Sequence, residues 1–353
     1  MSRIAIIPGD GIGPEITAEA VKVLKAVQER AGLDLQMIHF DYAVQNYRKT
    51  GQILPDELIE EFGRDFDAIF IGALGDSRSG ELVHAGAILR KLIIELDLYV
   101  HYRPVRLLNE RCCLLKEKKP EDVNFCVFSD NSEGITTALG GVFKKATADE
   151  VAFKQFLNTR RGVERIIRHA FEYARIHGLK RVVLSSQGNL LFCEDDLPER
   201  VFLEVRSEYP EIESGLMGVN AVLVQMLKTP ERFDVLVSNN LYSDAIADLG
   251  AQLTGGLSLA ACAELHPGKV SLFMPPHNSN ANRTGQKIAN PLGAVASAAL
   301  LLGHLGLDQE ANWVDGAVKY ALDTNNTTHD LGGRLETQQV GDFLAQQIRK
   351  GTC

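Results

Sequence analysis

The run from Arg3 to Glu15, RIAIIPGDGIGPE, constrains the fold more than any other segment of the chain. Ile4, Ala5, Ile6 and Ile7 are four consecutive apolar residues, which marks a short strand covered on both faces. Gly9, Gly11 and Gly13 follow in a tight loop of the kind that lets backbone approach another group closely. Pro14 suits the first turn of a helix, and Glu15 favours the positive end of the helix dipole. Strand, glycine loop and helix in immediate succession point to an α/β architecture. A dinucleotide-binding turn would read G-x-G-x-x-G. This one reads Gly9-Asp10-Gly11-Ile12-Gly13-Pro14, so the Rossmann spacing is absent and a structural turn is an equal reading of the segment alone.

At 353 residues the chain is long enough for two domains or one large one. Apolar residues make up 45% and charged residues 24%, a globular balance. The net charge of −9 argues against nucleic acid or an anionic membrane as partner. No apolar run reaches the ~18 residues of a membrane helix. The chain enters a strand almost at once, so no signal peptide is expected. The six cysteines, Cys112, Cys113, Cys126, Cys193, Cys262 and Cys353, contain no C-x-x-C pair, and no histidine pair has zinc-finger spacing. A zinc site is therefore not expected, and scattered thiols suit a reducing, cytoplasmic location.

Strand and helix signals alternate, which predicts α/β with a largely parallel sheet. Ile16, Ala20, Val21, Val23, Leu24 and Val27 mark the apolar face of a first helix. Residues 66–72 read as a buried strand, and 162–179 as an amphipathic helix buried through Val163, Ile166, Ile167, Ala170, Phe171 and Ala174. Further strands are expected at 182–185, 235–238 and 270–274. Helices are expected at 291–305 and, after Gly332-Gly333, at 340–349.

A series of motifs spans nearly the whole chain: PGDGIGPE at 8–15, GALGD at 72–76, LDLYVHYRPVR at 96–106, NSEG at 131–134, TRRGVERIIRHAFEYAR at 159–175, EYP at 208–210, NNLYSDAIADLGAQLTGG at 239–256, KIANP at 287–291 and DLGG at 330–333. In that order they resemble the β-decarboxylating dehydrogenases, the isocitrate/isopropylmalate dehydrogenase family, with 3-isopropylmalate dehydrogenase-like members nearest. The resemblance implies a two-domain α/β fold distinct from the Rossmann fold. Residues 1–98 and 255–353 would form one domain and 99–254 the other, with an arm around 134–145. It also implies a homodimer whose sites are completed by the partner subunit.

The resemblance assigns roles position by position. Asp244 and Asp248, four apart and so on one face of a helix, match the family's metal aspartates for Mg2+ or Mn2+. The partner's metal aspartate falls, without a gap, on Asn220, which removes one negative charge and weakens the site. The family lysine falls on Gln187, two before Asn189, and the family tyrosine on Thr136; neither replacement carries a proton at neutral pH as the original does. Three arginines bind the acid in the family. Arg103 is present, whereas Ile93 and Ser129 stand where the others belong. Arg90, one helical turn before Ile93, is either a displaced substitute or a solvated surface residue. Lys144 and Lys145 lie near enough in sequence to be candidates for the missing lysine, though ordinary surface lysines are the simpler reading. In the adenosine loop His277, Ser279, Gly285 and Asn290 match, and Ile12 of the first loop is a further candidate for binding the cofactor. Asn282 replaces the acid of NAD-dependent members and Arg283 follows it, which leans the expectation towards NADP.

Two functions remain open on these residues. One is a metal-dependent NAD(P) oxidoreductase acting on a different malate-like di- or tricarboxylic acid. The other, which the losses favour modestly, is a non-catalytic member, inactive towards the usual 2-hydroxy acids, that binds a small acid or regulates an intact paralogue as part of a hetero-oligomer.

Overall fold

The computed structural model describes residues 1–75, 82–137, 139–186 and 192–351, and of residues 45, 82, 83 and 192–195 the backbone only. The expectations placed on Gln187 and Asn189 therefore lie outside the described residues.

The strands are β1 (Ser2–Ile7), β2 (Leu35–His39), β3 (Ala68–Ile71), β4 (Val100–Arg106), β5 (Asn124–Ser129), β6 (Gly140–Phe143), β7 (Val151–Lys154), β8 (Arg181–Ser186), β9 (Glu213–Gly218), β10 (Val235–Ser238), β11 (Cys262–Leu265) and β12 (Ser271–Met274). The helices are α1 (Gly13–Ala31), α2 (Val44–Thr50), α3 (Asp56–Asp65), α4 (Leu82–Glu95), α5 (Arg160–Ile176), α6 (Phe192–Val205), α7 (Val219–Lys228), α8 (Asn240–Leu253), α9 (Leu292–His304), α10 (Asp308–Asp323) and α11 (Thr337–Lys350). Among the described residues, no helix is long and apolar enough to cross a membrane.

Ten strands form one sheet in the order β2-β1-β3-β12-β11-β4-β5-β10-β8-β9. Both flanks are parallel, as the alternating pattern predicts: β2, β1, β3 and β12 on one side, β5, β10, β8 and β9 on the other. The centre differs. The pairings β12-β11, β11-β4 and β4-β5 are antiparallel. β4, β5 and β11, which carry polar residues among the apolar ones, are not marked by the sequence pattern, and neither are the half-exposed edge strands β2 and β9.

Side-chain alternation explains why the apolar runs are continuous. Ile4 and Ile6 pack in one core with residues of α1, α9, α10 and α11. Ala5 and Ile7 point the other way, into a core with Phe62 of α3 and Ile88 of α4. A strand covered on both faces needs apolar residues at every position. Across the sheet, Val182 and Leu184 pack with α5 and α6, while Val105, Val127 and Leu236 pack with α7 and α8.

Helix limits follow local chemistry. Thr159 caps α5 by accepting from the Gly162 N–H at 3.0 Å. α5 ends at Ile176, short of the expected 179, because Gly178 adopts φ +66°. The first glycine loop is a structural turn held by buried Asp10, which accepts from the N–H groups of Val44 and Gly75, both at 2.7 Å. Gly9 there has φ +85°, and a Cβ would lie 2.2 Å from the Ala73 carbonyl oxygen, so no other residue fits.

β6 and β7 form a separate two-stranded ribbon. Leu139, Val142, Phe143, Val151, Phe153 and Leu157 leave it with large exposed apolar surface. An isolated hairpin is marginal in water, so this ribbon requires a covering surface.

Candidate functional site

The antiparallel centre gathers charged side chains that the flanking strands exclude. On β4, His101 and Arg103 are two apart and share one face. Glu264 of β11 lies opposite His101 on one side, and Ser129 of β5 lies opposite it on the other. α8 begins directly after β10, where Asn239 caps it by accepting from the N–H groups of Leu241 and Tyr242 at 3.1 and 3.0 Å. One turn in, Asp244 and Asp248 meet β4.

The contacts run as a chain from the interior outwards. Buried Glu264 accepts through Oε1 from Asn131 Nδ2 at 3.0 Å and sits 2.7 Å from His101 Nδ1. His101 Nε2 is 3.3 Å from Asp244 Oδ1. Arg103 Nη1 is 3.7 Å from the same oxygen, and its Nη2 donates to Asp248 Oδ1 at 2.8 Å. His101, Arg103 and Glu264 are buried, whereas the Asp244 and Asp248 side chains are half exposed. Burial alone would push the His101 imidazole down, but Glu264, Cys262 and Asp244 hold it well above its ordinary value. Burial opposes ionisation of Asp244, yet His101 and Arg103 keep its carboxyl low.

The structure explains several expected absences. Ile93 points into the core beside Phe62 and Ile88. Ser129 is fully buried and accepts from the Ser243 hydroxyl at 2.9 Å. Thr136 has its hydroxyl within 2.8 Å of the Asn131 carbonyl oxygen and 2.6 Å of the Glu133 one, and accepts from Asn240 Nδ2 at 3.1 Å. That hydroxyl pins its own turn and ties it to the start of α8. Arg90 is exposed on α4, bordering a hollow with Gly140, Phe153 and Lys154 of the ribbon. Lys144 and Lys145 lie on the ribbon's outer end, the first 3.6 Å from Asp149. Asn220 is exposed in the first turn of α7.

A second feature is a cavity of about 480 Å3 bordered by Ile12, His277, Ser279, Arg283 and Asn290, five of the seven positions expected to bind a dinucleotide. The other two, Asn282 and Gly285, are exposed and do not line it. His277 Nε2 is buried without a hydrogen-bond partner, and burial pushes its imidazole down against the opposing pull of the Asn278 carbonyl and Asp330. An unpartnered nitrogen in the wall of a cavity this size fits a polar ligand.

Sequence reasoning missed His101, Cys262 and Glu264, and it read Asp330 only as part of DLGG. Asp330 borders the cavity, where Asn290 Nδ2 and Ser258 Oγ donate to it at 3.0 and 2.8 Å. It also missed Arg165, which binds Asp130, Asp97 and Ser132 at once. The available signal was charge in a strand context: His101 and Arg103 alternate in VHYRPVR, as do Cys262 and Glu264 in CAEL.

Comparison with known proteins supplies the frame for this arrangement. A sequence profile described as isocitrate/isopropylmalate dehydrogenase matches residues 3–344. A 3-isopropylmalate dehydrogenase of Thermobifida fusca is 38% identical over 348 residues, which is 98% of this chain and 97% of that one. The crystal structure of isocitrate dehydrogenase from Methylococcus capsulatus superposes with a TM-score of 0.89 at 32% identity, covering 99% of this chain and all of that one. That of a β-decarboxylating dehydrogenase from Thermococcus kodakarensis superposes with a TM-score of 0.80 at 30% identity, covering 99% and 97%.

Proposed function

The chain belongs to the isocitrate/isopropylmalate dehydrogenase family, and from that premise we propose that it is a metal- and NAD(P)-dependent oxidoreductase whose acid-binding side has been rebuilt away from the family's usual substrates. One contrast carries this reading. The cavity at His277, Ser279 and Arg283 is open, while positions 93 and 129 are closed into packed cores.

The residues suit the implied groups. Asp244 and Asp248 offer carboxylate oxygens one helical turn apart, the hard ligands that Mg2+ or Mn2+ takes. His277, Ser279, Asn290 and Arg283 would hold a dinucleotide. When bound, the cation supplies Lewis acidity to a 2-hydroxy acid and the dinucleotide supplies a hydride acceptor. Arg103 is the remaining arginine for a substrate carboxylate, held in place by Asp248. Thr136, fixed in its turn, offers no proton for an enol. The acid that fits is therefore a malate-like one gripped by a single arginine. A non-catalytic, ligand-binding role is the second reading, favoured by that same spent hydroxyl of Thr136.

The cofactor preference follows from Arg283 at the cavity edge, with no carboxylate at position 282. Calorimetry is expected to show NADP binding at least as tightly as NAD, and Arg283→Asp is expected to reverse that order by roughly tenfold, one charge-assisted contact. A clear preference for NAD in the unmodified protein would contradict this assignment.

The exposed apolar ribbon and the exposed Val224, Leu227 and Leu241 of α7 and α8 support assembly into a dimer, in which Asn220 of each subunit would face the other's Asp244 and Asp248. Light scattering should give twice the chain mass. Asn220→Asp should tighten Mn2+ binding about tenfold, since ligand charge sets affinity. An unchanged Mn2+ affinity in that variant would remove Asn220 from the metal site.

A further inference from the structure

Cys262, Glu264 and His101 stand together on one face of the antiparallel pair β4-β11. Cys262 and Glu264 are two apart on β11, so both project to the same side, and His101 is the direct cross-strand partner of Glu264. All three are buried, and one ligand atom from each lies within 4.8 Å of the others. Cys262 Sγ is 3.8 Å from His101 Nδ1, and Glu264 Oε1 is 2.7 Å from it. We propose that His101 Nδ1, Cys262 Sγ and a Glu264 carboxylate oxygen form a binding site for one zinc ion, separate from the Asp244/Asp248 pair.

Two observations point to a cation rather than to a self-contained polar network. First, Glu264 Oε2 is buried with no hydrogen-bond partner, a costly state for a charged group. A cation among these atoms offers that carboxylate a partner. Second, the far side of the imidazole faces a carboxylate. Metal-bound histidines direct the other ring nitrogen at a carboxylate or carbonyl, and His101 Nε2, a buried nitrogen that makes no hydrogen bond, lies 3.3 Å from Asp244 Oδ1.

The donor set selects the metal. One imidazole, one thiolate and one carboxylate suit borderline-soft Zn2+ and exclude Mg2+, which takes oxygen alone. Zn2+ with a thiolate and a carboxylate is neutral overall, which makes burial of both anions tolerable. Zinc bonds of about 2.0–2.3 Å put tetrahedral ligand atoms roughly 3.3–3.8 Å apart. The sulfur is already at that range from the imidazole, the imidazole–carboxylate contact opens by about half an ångström on binding, and the sulfur and carboxylate start within 4.8 Å of each other. Cys262 gives up its thiol proton to solvent as the metal–sulfur bond forms. Three protein ligands leave the fourth position to water.

The test uses the full chain, stripped with a chelator and titrated with Co2+ as a spectroscopic stand-in for Zn2+. A thiolate-to-cobalt absorption band in the near ultraviolet is expected to saturate at one equivalent per chain and to disappear on adding Zn2+. Cys262→Ser should abolish the band, whereas Asp248→Asn should leave it intact, which separates this site from the family metal site. Should Cys262→Ser fold poorly, Glu264→Gln serves as a second variant, with the band retained but Co2+ affinity reduced at least tenfold. Absence of the band in the unmodified protein, its survival in folded Cys262→Ser, or its loss in Asp248→Asn would each overturn the proposal.

Discussion

Mixed with Mn2+, NAD or NADP, and 3-isopropylmalate, isocitrate or homoisocitrate, the purified protein is expected to give no measurable rise in reduced-nicotinamide absorbance. The reasons are cumulative. By the resemblance, Arg103 is the one of the three family arginines at its expected position, with Arg90 displaced at best, so an acid with two or three carboxylates would be held at one end and oriented poorly. Gln187, at the position where the resemblance places the family's lysine, has an amide that neither gives up nor takes a proton at neutral pH. Thr136 is too short to act as the tyrosine does, and its hydroxyl is fixed by Asn131, Glu133 and Asn240. Each lost acid or base costs about 10²–10⁴ in rate, and groups that act as a unit fail together. A kcat in the ordinary range of roughly 1–10³ s⁻¹ for any of these acids would show that other residues do this work.

The second large effect concerns stability. Ser129→Arg, which puts an arginine where the resemblance implies one, is expected to destabilise the protein severely. Ser129 is fully buried, bonded to Ser243, and lies across the strand pair from His101. The neighbouring carboxylate, Asp130, is already engaged by Arg165, and a guanidinium has no open space in this fully buried position. A buried unpaired charge costs about 3–5 kcal/mol, against a total stability of ~5–15 kcal/mol. Ser129→Ala removes a single hydrogen bond and should cost only about 0.5–1.5 kcal/mol. Urea denaturation of the three proteins makes the comparison. A midpoint for Ser129→Arg equal to that of Ser129→Ala would mean that position 129 opens to solvent. Restoring the arginine clamp therefore requires rebuilding the surrounding core, and the same holds for Ile93 among Phe62 and Ile88.

The flanking architecture was legible because its residues obey simple periods. Ile4 to Ile7, Val182 to Leu184 and the buried face of α5 are apolar where two layers cover them. The motifs carried the family, and with it five of the residues that line the cavity, Ile12, His277, Ser279, Arg283 and Asn290. The centre of the sheet was not legible. β4, β5 and β11 interrupt their apolar pattern with His101, Arg103, Ser129, Cys262 and Glu264, and charges in a strand read as loop until the cross-strand partner is known. Asn282 and Gly285 were assigned from loop position, but the turn at 281–283 directs Arg283, not Asn282, to the cavity. Asp10, a motif residue given no role from sequence, is a brace between two loops.

Calorimetry on a single preparation tests most directly whether the cofactor side is kept while the acid side is rebuilt. NADP is titrated first, in the presence of Mn2+, and 3-isopropylmalate second. The predicted result is saturable heat for NADP, diminished in Arg283→Asp, and none for 3-isopropylmalate up to millimolar concentration. Saturable binding of 3-isopropylmalate with no binding of either dinucleotide would contradict it.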